Sequence, residues 1–286
     1  PVAKWLARRL ERWCYRHADE IIALSPGMTA GVIATGVDAG KVTTIPNASD
    51  LELFNPALRD RALLDEFAVG DTFVGVHGGS MGAANGLMYL VEAATVLQGR
   101  GVDDIKLMIA GYGGTRPLLE AACAERGLPN VIFTGSIPRS KLGAIVSSCD
   151  CAVVSFANRP VLATNSPNKL FDALAAGLPA IVNSAGWTKD LVLDHDAGTY
   201  VDATRPEALA DALCVLRDDS ALRARQSANA RALAESTFAR DKLAAQFCAV
   251  LERAASAGKG KGTPAVAVVA AGKTDKRDKR PTASAT

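Results

Sequence analysis

At 286 residues, 49% hydrophobic and 22% charged, the chain has room for one large domain or two moderate ones around a sizeable core. Its net charge of +2 conceals a split: the stretch from Gly258 onward carries +5 and the rest −3, which excludes a nucleic-acid footprint for the folded part. The six cysteines (Cys14, Cys123, Cys149, Cys151, Cys214 and Cys248) include no CxxC pair and no matching His spacing, so they read as small buried hydrophobes or free thiols of a reducing cytosol, with no metal site expected.

No stretch approaches the ~20 apolar residues of a membrane span, and no signal peptide is evident. The chain starts at Pro1 directly in a helix-like pattern, which leads us to expect sequence upstream. Residues 3–17, AKWLARRLERWCYRH, form a basic amphipathic helix with Trp5, Leu6, Leu10 and Trp13 roughly on one side. Five Lys/Arg sit there against one Glu, a pattern that fits contact with an anionic membrane surface. It also fits a surface helix packing its Trp face on a neighbour, and the short length favours that second reading. A short strand (EIIALS), a helix opened by Ser25-Pro26 and a second strand (VTTIPN) follow. Residues 48–60, ASDLELFNPALRD, read as a connector.

Beyond it the chain alternates. Strand-like runs occur at 72–77, 106–110, 131–134, 151–156, 179–183 and 199–202. Helical patterns lie between them at 86–99, 116–126, 139–148, 168–176 and 187–193. Such alternation predicts βαβ crossovers and an α/β fold with a doubly wound parallel sheet. After Pro206 the pattern is helical to about residue 255. The expected division is a βαβ remnant over 1–56, a Rossmann-like domain over 57–255, and a basic low-complexity tail over 256–286 that should be disordered.

The loop after the first run of the array, HGGSMGAANG, contains Gly78-Gly79-Ser80-Met81-Gly82, a match to the G-x-S-x-G elbow of serine hydrolases. Its position in the array and the order of the histidines argue against that chemistry: His17 and His77 precede Ser80, and only His195 follows. A G-x-G-x-x-G dinucleotide fingerprint is absent both here and at Gly111-Tyr112-Gly113. A third reading combines several loops, because ligands of doubly wound sheets sit beyond the carboxyl ends of the strands. Four such ends are polar and mostly glycine-rich: 77–86, 111–116, 135–140 and 164–177. Ser166-Pro167-Asn168-Lys169 would open a helix toward a pyrophosphate with Lys169 as cation, and Asp172 could accept from ribose hydroxyls. Equally, SPNK is an N-cap with Asp172 favouring the helix dipole.

"TNSPNKLFDALAAGLPAIVNSAGW" closely resembles the donor-binding segment of retaining GT-B glycosyltransferases of family 4, in particular bacterial WbuB-like enzymes. "ADEIIALSPGM" and "KVTTIPNASDLELFNP" resemble the end of that family's N-terminal domain and its hinge. "VGVHGGSMGAANGLMYLVEAATVL", "MIAGYGGTRPLLEAACAERGLPNVIFTGSIPRSKL" and "GTYVDATRPEALADAL" resemble successive parts of the donor domain. The resemblance runs from about residue 18 to 252.

It implies a GT-B fold, N-terminally truncated, and a retaining transfer from a nucleotide sugar to a glycan or polyprenyl-linked acceptor in polysaccharide or O-antigen synthesis. The donor would be UDP-linked and N-acetylated, with no metal or other cofactor. By matching position, Asn168 and Lys169 would face the diphosphate or sugar, and Asp172 would bind ribose. Gly79 and Ser80 would line the cleft, while Ile137 and Arg139 would lie by the base. Ser166 and Asn85 belong to the same donor-binding set. The family's EX7E motif is not intact: its first position falls at Thr164 and its second at Asp172. The Arg and Lys that many relatives carry after the first donor-domain strand fall at Ser80 and Asn85. Neutralisation would then rest on Lys169, backbone amides and Arg116 or Arg139. The catalytic residues would lie on the acceptor side, and the protein would be cytoplasmic or peripheral on the inner membrane face. Three alternatives stay open: a GT-B-like nucleotide-sugar epimerase, a hydrolase using Ser80, and a donor-binding fragment without turnover.

Overall fold

The computed structural model describes residues 2–258; the expected disorder of the tail lies outside them from residue 259 onward. A helix, α1 (Val2–His17), leads into strand β1 (Ile21–Ala23), helix α2 (Pro26–Ile33) and strand β2 (Val42–Thr44). Ser25 caps α2 as its sequence suggests, with Oγ accepting from the Met28 amide at 3.1 Å. β1 and β2 pair in parallel as a two-stranded sheet.

The main array then alternates: β3 (Phe73–Gly78), α3 (Met88–Gly99), β4 (Ile105–Ala110), α4 (Arg116–Arg126), β5 (Val131–Gly135), α5 (Arg139–Ser148) and β6 (Cys151–Val154). It continues through α6 (Asn168–Ala175), β7 (Ala180–Val182), α7 (Trp187–Asp194) and β8 (Gly198–Tyr200). Three helices close the described chain: α8 (Pro206–Asp218), α9 (Ser220–Leu233) and α10 (Arg240–Gly258). The six-stranded sheet is parallel throughout, in the order β5-β4-β3-β6-β7-β8. That order reverses between β3 and β6, so the expected doubly wound, Rossmann-like α/β architecture is present.

Both faces of the sheet are covered, and residue parity assigns the sides. Phe73, Ile105, Leu107, Ile109, Cys151, Val153 and Ile181 pack with α3, α4 and α8. Val74, Val76, Met108, Ala152, Val154, Ala180 and Val182 pack with α5, α6, α7 and α9.

Departures from the sequence reading have local causes. The strand expected over 151–156 stops at Val154, because the Asn183 side chain takes both backbone groups of Phe156, at 2.7 and 3.1 Å. The long helix after Pro206 is three helices: Asp219 caps a new start by accepting from the Leu222 amide, and a turn at Ala234–Phe238 precedes a break at Ala239. α10 runs through residues 256–258, which the sequence assigned to the tail. The connector is packed rather than passive: Phe54 is buried in the core, and a Cβ on Gly143 would lie 1.7 Å from the Leu53 carbonyl oxygen. Arg231 ties it down further, donating to the carbonyls of Leu51, Phe54 and Ala175.

α1 has no buried residue, and Trp5, Leu6, Leu10 and Trp13 are all more than half exposed. The reading favoured from its length, a Trp face packed on a neighbour, is therefore not met among the described residues. No helix among them is long and apolar enough to cross a membrane.

Candidate functional site

A cleft of about 280 Å³ opens at the reversal between β3 and β6. Gly78, Gly79 and Ser80 from the end of β3 form one wall, and Asn168, Lys169 and Asp172 on the first turns of α6 form another. Phe54, Leu142 and Val146 supply apolar lining. Five of the ten donor-binding residues expected from sequence thus meet in one cavity.

Lys169 is its centre. Nζ lies 2.6 Å from Asn85 Oδ1, 3.1 Å from His77 Nε2 and 5.3 Å from the centroid of the Phe156 ring. Burial pulls its pKa down to about 8, and no carboxylate pairs with it among the described residues. A cation held by neutral groups keeps its charge available to an anion.

Asn85 is buried and aimed from several sides. Ser155 Oγ donates to its carbonyl oxygen at 2.9 Å, and its own Nδ2 donates to the Ser80 carbonyl at 2.7 Å. Gly86 follows in the left-handed region at φ 59°, where a Cβ would lie 2.8 Å from the Ala157 backbone. Position 85 carries no charge, but it grips the charge that α6 supplies.

Asp172 faces the cleft with Oδ1 accepting from Ser49 Oγ at 2.7 Å. Burial raises its pKa to about 6, against the lowering effects of that hydrogen bond and of Arg139. Ser166 does not cap α6, which has no side-chain cap bond. Its Oγ accepts from the Asn47 amide at 3.1 Å and its carbonyl from Asn47 Nδ2 at 2.6 Å, pinning the start of α6 to the chain after β2. The cap reading of SPNK is thereby replaced by an anchoring one.

The other expected residues lie outside the cavity lining. Arg139 is exposed at the start of α5, and Ile137 packs against the core. Arg116 already bonds Glu120 at 2.7 Å and sits over Tyr112, with a guanidinium nitrogen near Gly135. Loops 78–82 and 111–115 are locked backbone to backbone: Met81 donates to Tyr112, and the Thr115 amide and hydroxyl both donate to the Met81 carbonyl. A Cβ on Gly111 would fall 1.9 Å from the Gly79 oxygen, so the glycines of the two loops serve each other's approach.

Ser80 has no base. Its Oγ lies 3.3 Å from Asn85 Nδ2, a donor, while His77 is engaged by Val153 and Lys169 and His195 is exposed at the end of α7. No group of three or more His, Cys, Asp or Glu among the described residues could hold a metal.

Sequence reasoning missed His77, Asn47, Ser49, Ser155 and Phe156. His77 had one available signal, a polar residue closing an apolar strand at a ligand-binding sheet edge.

Residues 72–219 match the family described as glycosyl transferases group 1, and residues 1–48 match the glycosyl transferase 4-like domain. A relative in Escherichia coli K12, WcaI, named for a colanic acid biosynthesis glycosyl transferase, is 26% identical over 85% of this chain and 59% of its own length. The GDP-mannose-dependent alpha-mannosyltransferase of Mycobacterium tuberculosis is 28% identical over 76% of this chain and 53% of its own. The chain thus spans between half and three fifths of these two relatives. Anabaena HepE, crystallised in complex with UDP and glucose, superposes with a TM-score of 0.74 at 20% identity, over 86% of this chain and 66% of that one.

Proposed function

The chain belongs to the glycosyl transferases group 1 family, and on that premise we propose that its cleft takes the diphosphate of a nucleotide-sugar donor. The protein then transfers the sugar, with retained anomeric configuration, to a glycan or polyprenyl-linked acceptor in cell-surface polysaccharide or O-antigen synthesis. The observation that carries this reading is the Lys169 ammonium, largely buried at the sheet reversal with only neutral partners. A diphosphate supplies the missing negative charge, and that charge grows as the glycosidic bond breaks, so the same contact stabilises departure.

In this reading Asn168 and the start of α6 meet the phosphates, Gly79 and Ser80 form the rim, and Asp172 accepts from ribose hydroxyls. Ile137 and Arg139 flank the base, with Arg116 further out. The enzyme mainly positions donor and acceptor, without a protein nucleophile or metal. UDP is the donor nucleotide we favour, in line with the ligand of HepE, and an N-acetylated sugar rests on the family resemblance alone. The SPNK…D form supports a WbuB-like subgroup. Residues 1–56 serve the acceptor side and hinge, and 57–255 the donor side. The exposed Trp face of α1 and its five cations suit an anionic lipid surface at the inner face of the cytoplasmic membrane.

A thermal-shift panel of UDP-, GDP- and dTDP-sugars on the wild type, Lys169→Ala and Asp172→Ala tests the reading. UDP-sugars should raise the wild-type Tm, and Lys169→Ala should lose the shift. If no nucleotide moves the wild type, the donor reading falls.

A further inference from the structure

We propose that His77 is a positioning residue for Lys169: its Nε2 lone pair holds the ammonium charged and aimed without supplying a counter-charge. What that charge is for rests on the donor reading above; the arrangement itself belongs to the free protein.

His77 is fully buried near the end of β3, and its Nδ1 lies 2.9 Å from the Val153 carbonyl on the adjacent strand β6. A neutral imidazole has a single N–H. Spent on Val153, that proton leaves Nε2 as an acceptor, 3.1 Å from Lys169 Nζ. Imidazolium is excluded there, because two cations would meet at hydrogen-bond distance. Burial, and then the charge of Lys169, hold the His77 pKa well below its ordinary value.

The chemistry of the alternatives explains the choice. A carboxylate at position 77 would pair with Lys169 and cancel the charge a ligand needs. An apolar side chain would take a hydrogen-bond acceptor from the partly buried ammonium and favour the neutral amine. Imidazole avoids both outcomes. The other groups facing Lys169 are consistent with this: Asn85 comes from the loop after β3, and the Phe156 ring from the segment after β6. On α6 itself the nearest titratable group along the helix is Asp172, held by Ser49 and influenced by Arg139 and Asp50.

The test uses the full chain. Nitrogen-15 NMR of histidine-labelled wild type should show the Nδ1–H tautomer at His77, with no titration through neutral pH. Competitive acetylation read by peptide mass spectrometry should give Lys169 a midpoint near pH 8. Removing the acceptor in His77→Phe should lower that midpoint by about one unit and so weaken UDP binding at pH 7.5 about threefold. His77→Gln, whose amide oxygen can accept in place of Nε2, should recover most of both. An Nε2–H tautomer in the wild type, or an unchanged midpoint in a folded His77→Phe protein, overturns the proposal. A lowered midpoint restored by His77→Gln upholds it even if the wild type binds neither UDP nor GDP, in which case the donor reading is what fails.

Discussion

Lys169 donates to the side-chain oxygen of Asn85 at 2.6 Å, joining two segments 84 residues apart in the chain. The contact resolves a puzzle in the glycine loop. Where the family resemblance places a lysine, this chain has an amide, and the amide binds a lysine delivered from α6. The cation beside position 85 is thus the one that α6 supplies.

Two ionisations should bound nucleotide affinity. Asp172, with a pKa raised to about 6, accepts from a ribose more strongly as the carboxylate than as the neutral acid, and Lys169, at about 8, must be protonated to meet a phosphate. UDP affinity measured by calorimetry should therefore plateau between those values and fall on both sides. Asp172→Asn should abolish the acid limb while weakening binding about tenfold.

The same carboxylate predicts a stability change. Its folded pKa of about 6 exceeds the ordinary 3.8, so the folded protein holds a proton there more tightly than the unfolded chain. That contribution is present below pH 3.8, fades as pH rises through about 6, and is gone at pH 7, where the buried charge costs stability. Asp172→Asn keeps an acceptor for Ser49 and should raise Tm at pH 7 by several degrees, on the order of 2 kcal/mol. A lower Tm at pH 7 would contradict this.

Ser80 should behave as rim, not nucleophile. Ser80→Ala should leave folding unaltered within about 0.5 kcal/mol, and neither it nor the wild type should react with a fluorophosphonate. Ser80→Arg places a cation at the mouth of the cleft and should tighten UDP about fivefold at low salt. Covalent labelling of wild-type Ser80 would revive the hydrolase reading.

Gly111 tests the loop packing. A Cβ there would overlap the Gly79 carbonyl oxygen, and the residue sits at φ 150°. Gly111→Ala should cost about 2–4 kcal/mol in denaturant unfolding and remove the nucleotide-induced thermal shift, because the Gly79 wall must move. Gly114→Ala, where added atoms meet nothing within 4 Å, is the matched control and should be nearly silent.

For α1, vesicles containing about 30% anionic lipid should co-sediment the wild type, and the loss of Trp5, Trp13 and the arginines should release it. Equal sedimentation of both proteins would remove the membrane role.

Much of this was legible in the chain itself. Alternation of apolar strands with amphipathic helices placed six strands and five intervening helices within a few residues, because burial on both sheet faces writes a strong local pattern. That Lys169 and Asp172 would share the cleft was legible from the opening of α6, since residues one turn apart at a sheet edge face the same side. The glycine loop advertised a tight turn, but its G-x-S-x-G spelling could not say which atom would stand beside Ser80. That required folding, which put an amide there instead of an imidazole. His77 looked like a stray histidine until β3 and β6 paired and aimed its ring. Ser166 looked like a cap until Asn47 arrived from 119 residues away. Local periodicity determined which segments would form the sheet and which loops would ring its edge. The partners of each polar side chain depend on contacts between segments distant in sequence, and only the tertiary structure decided those.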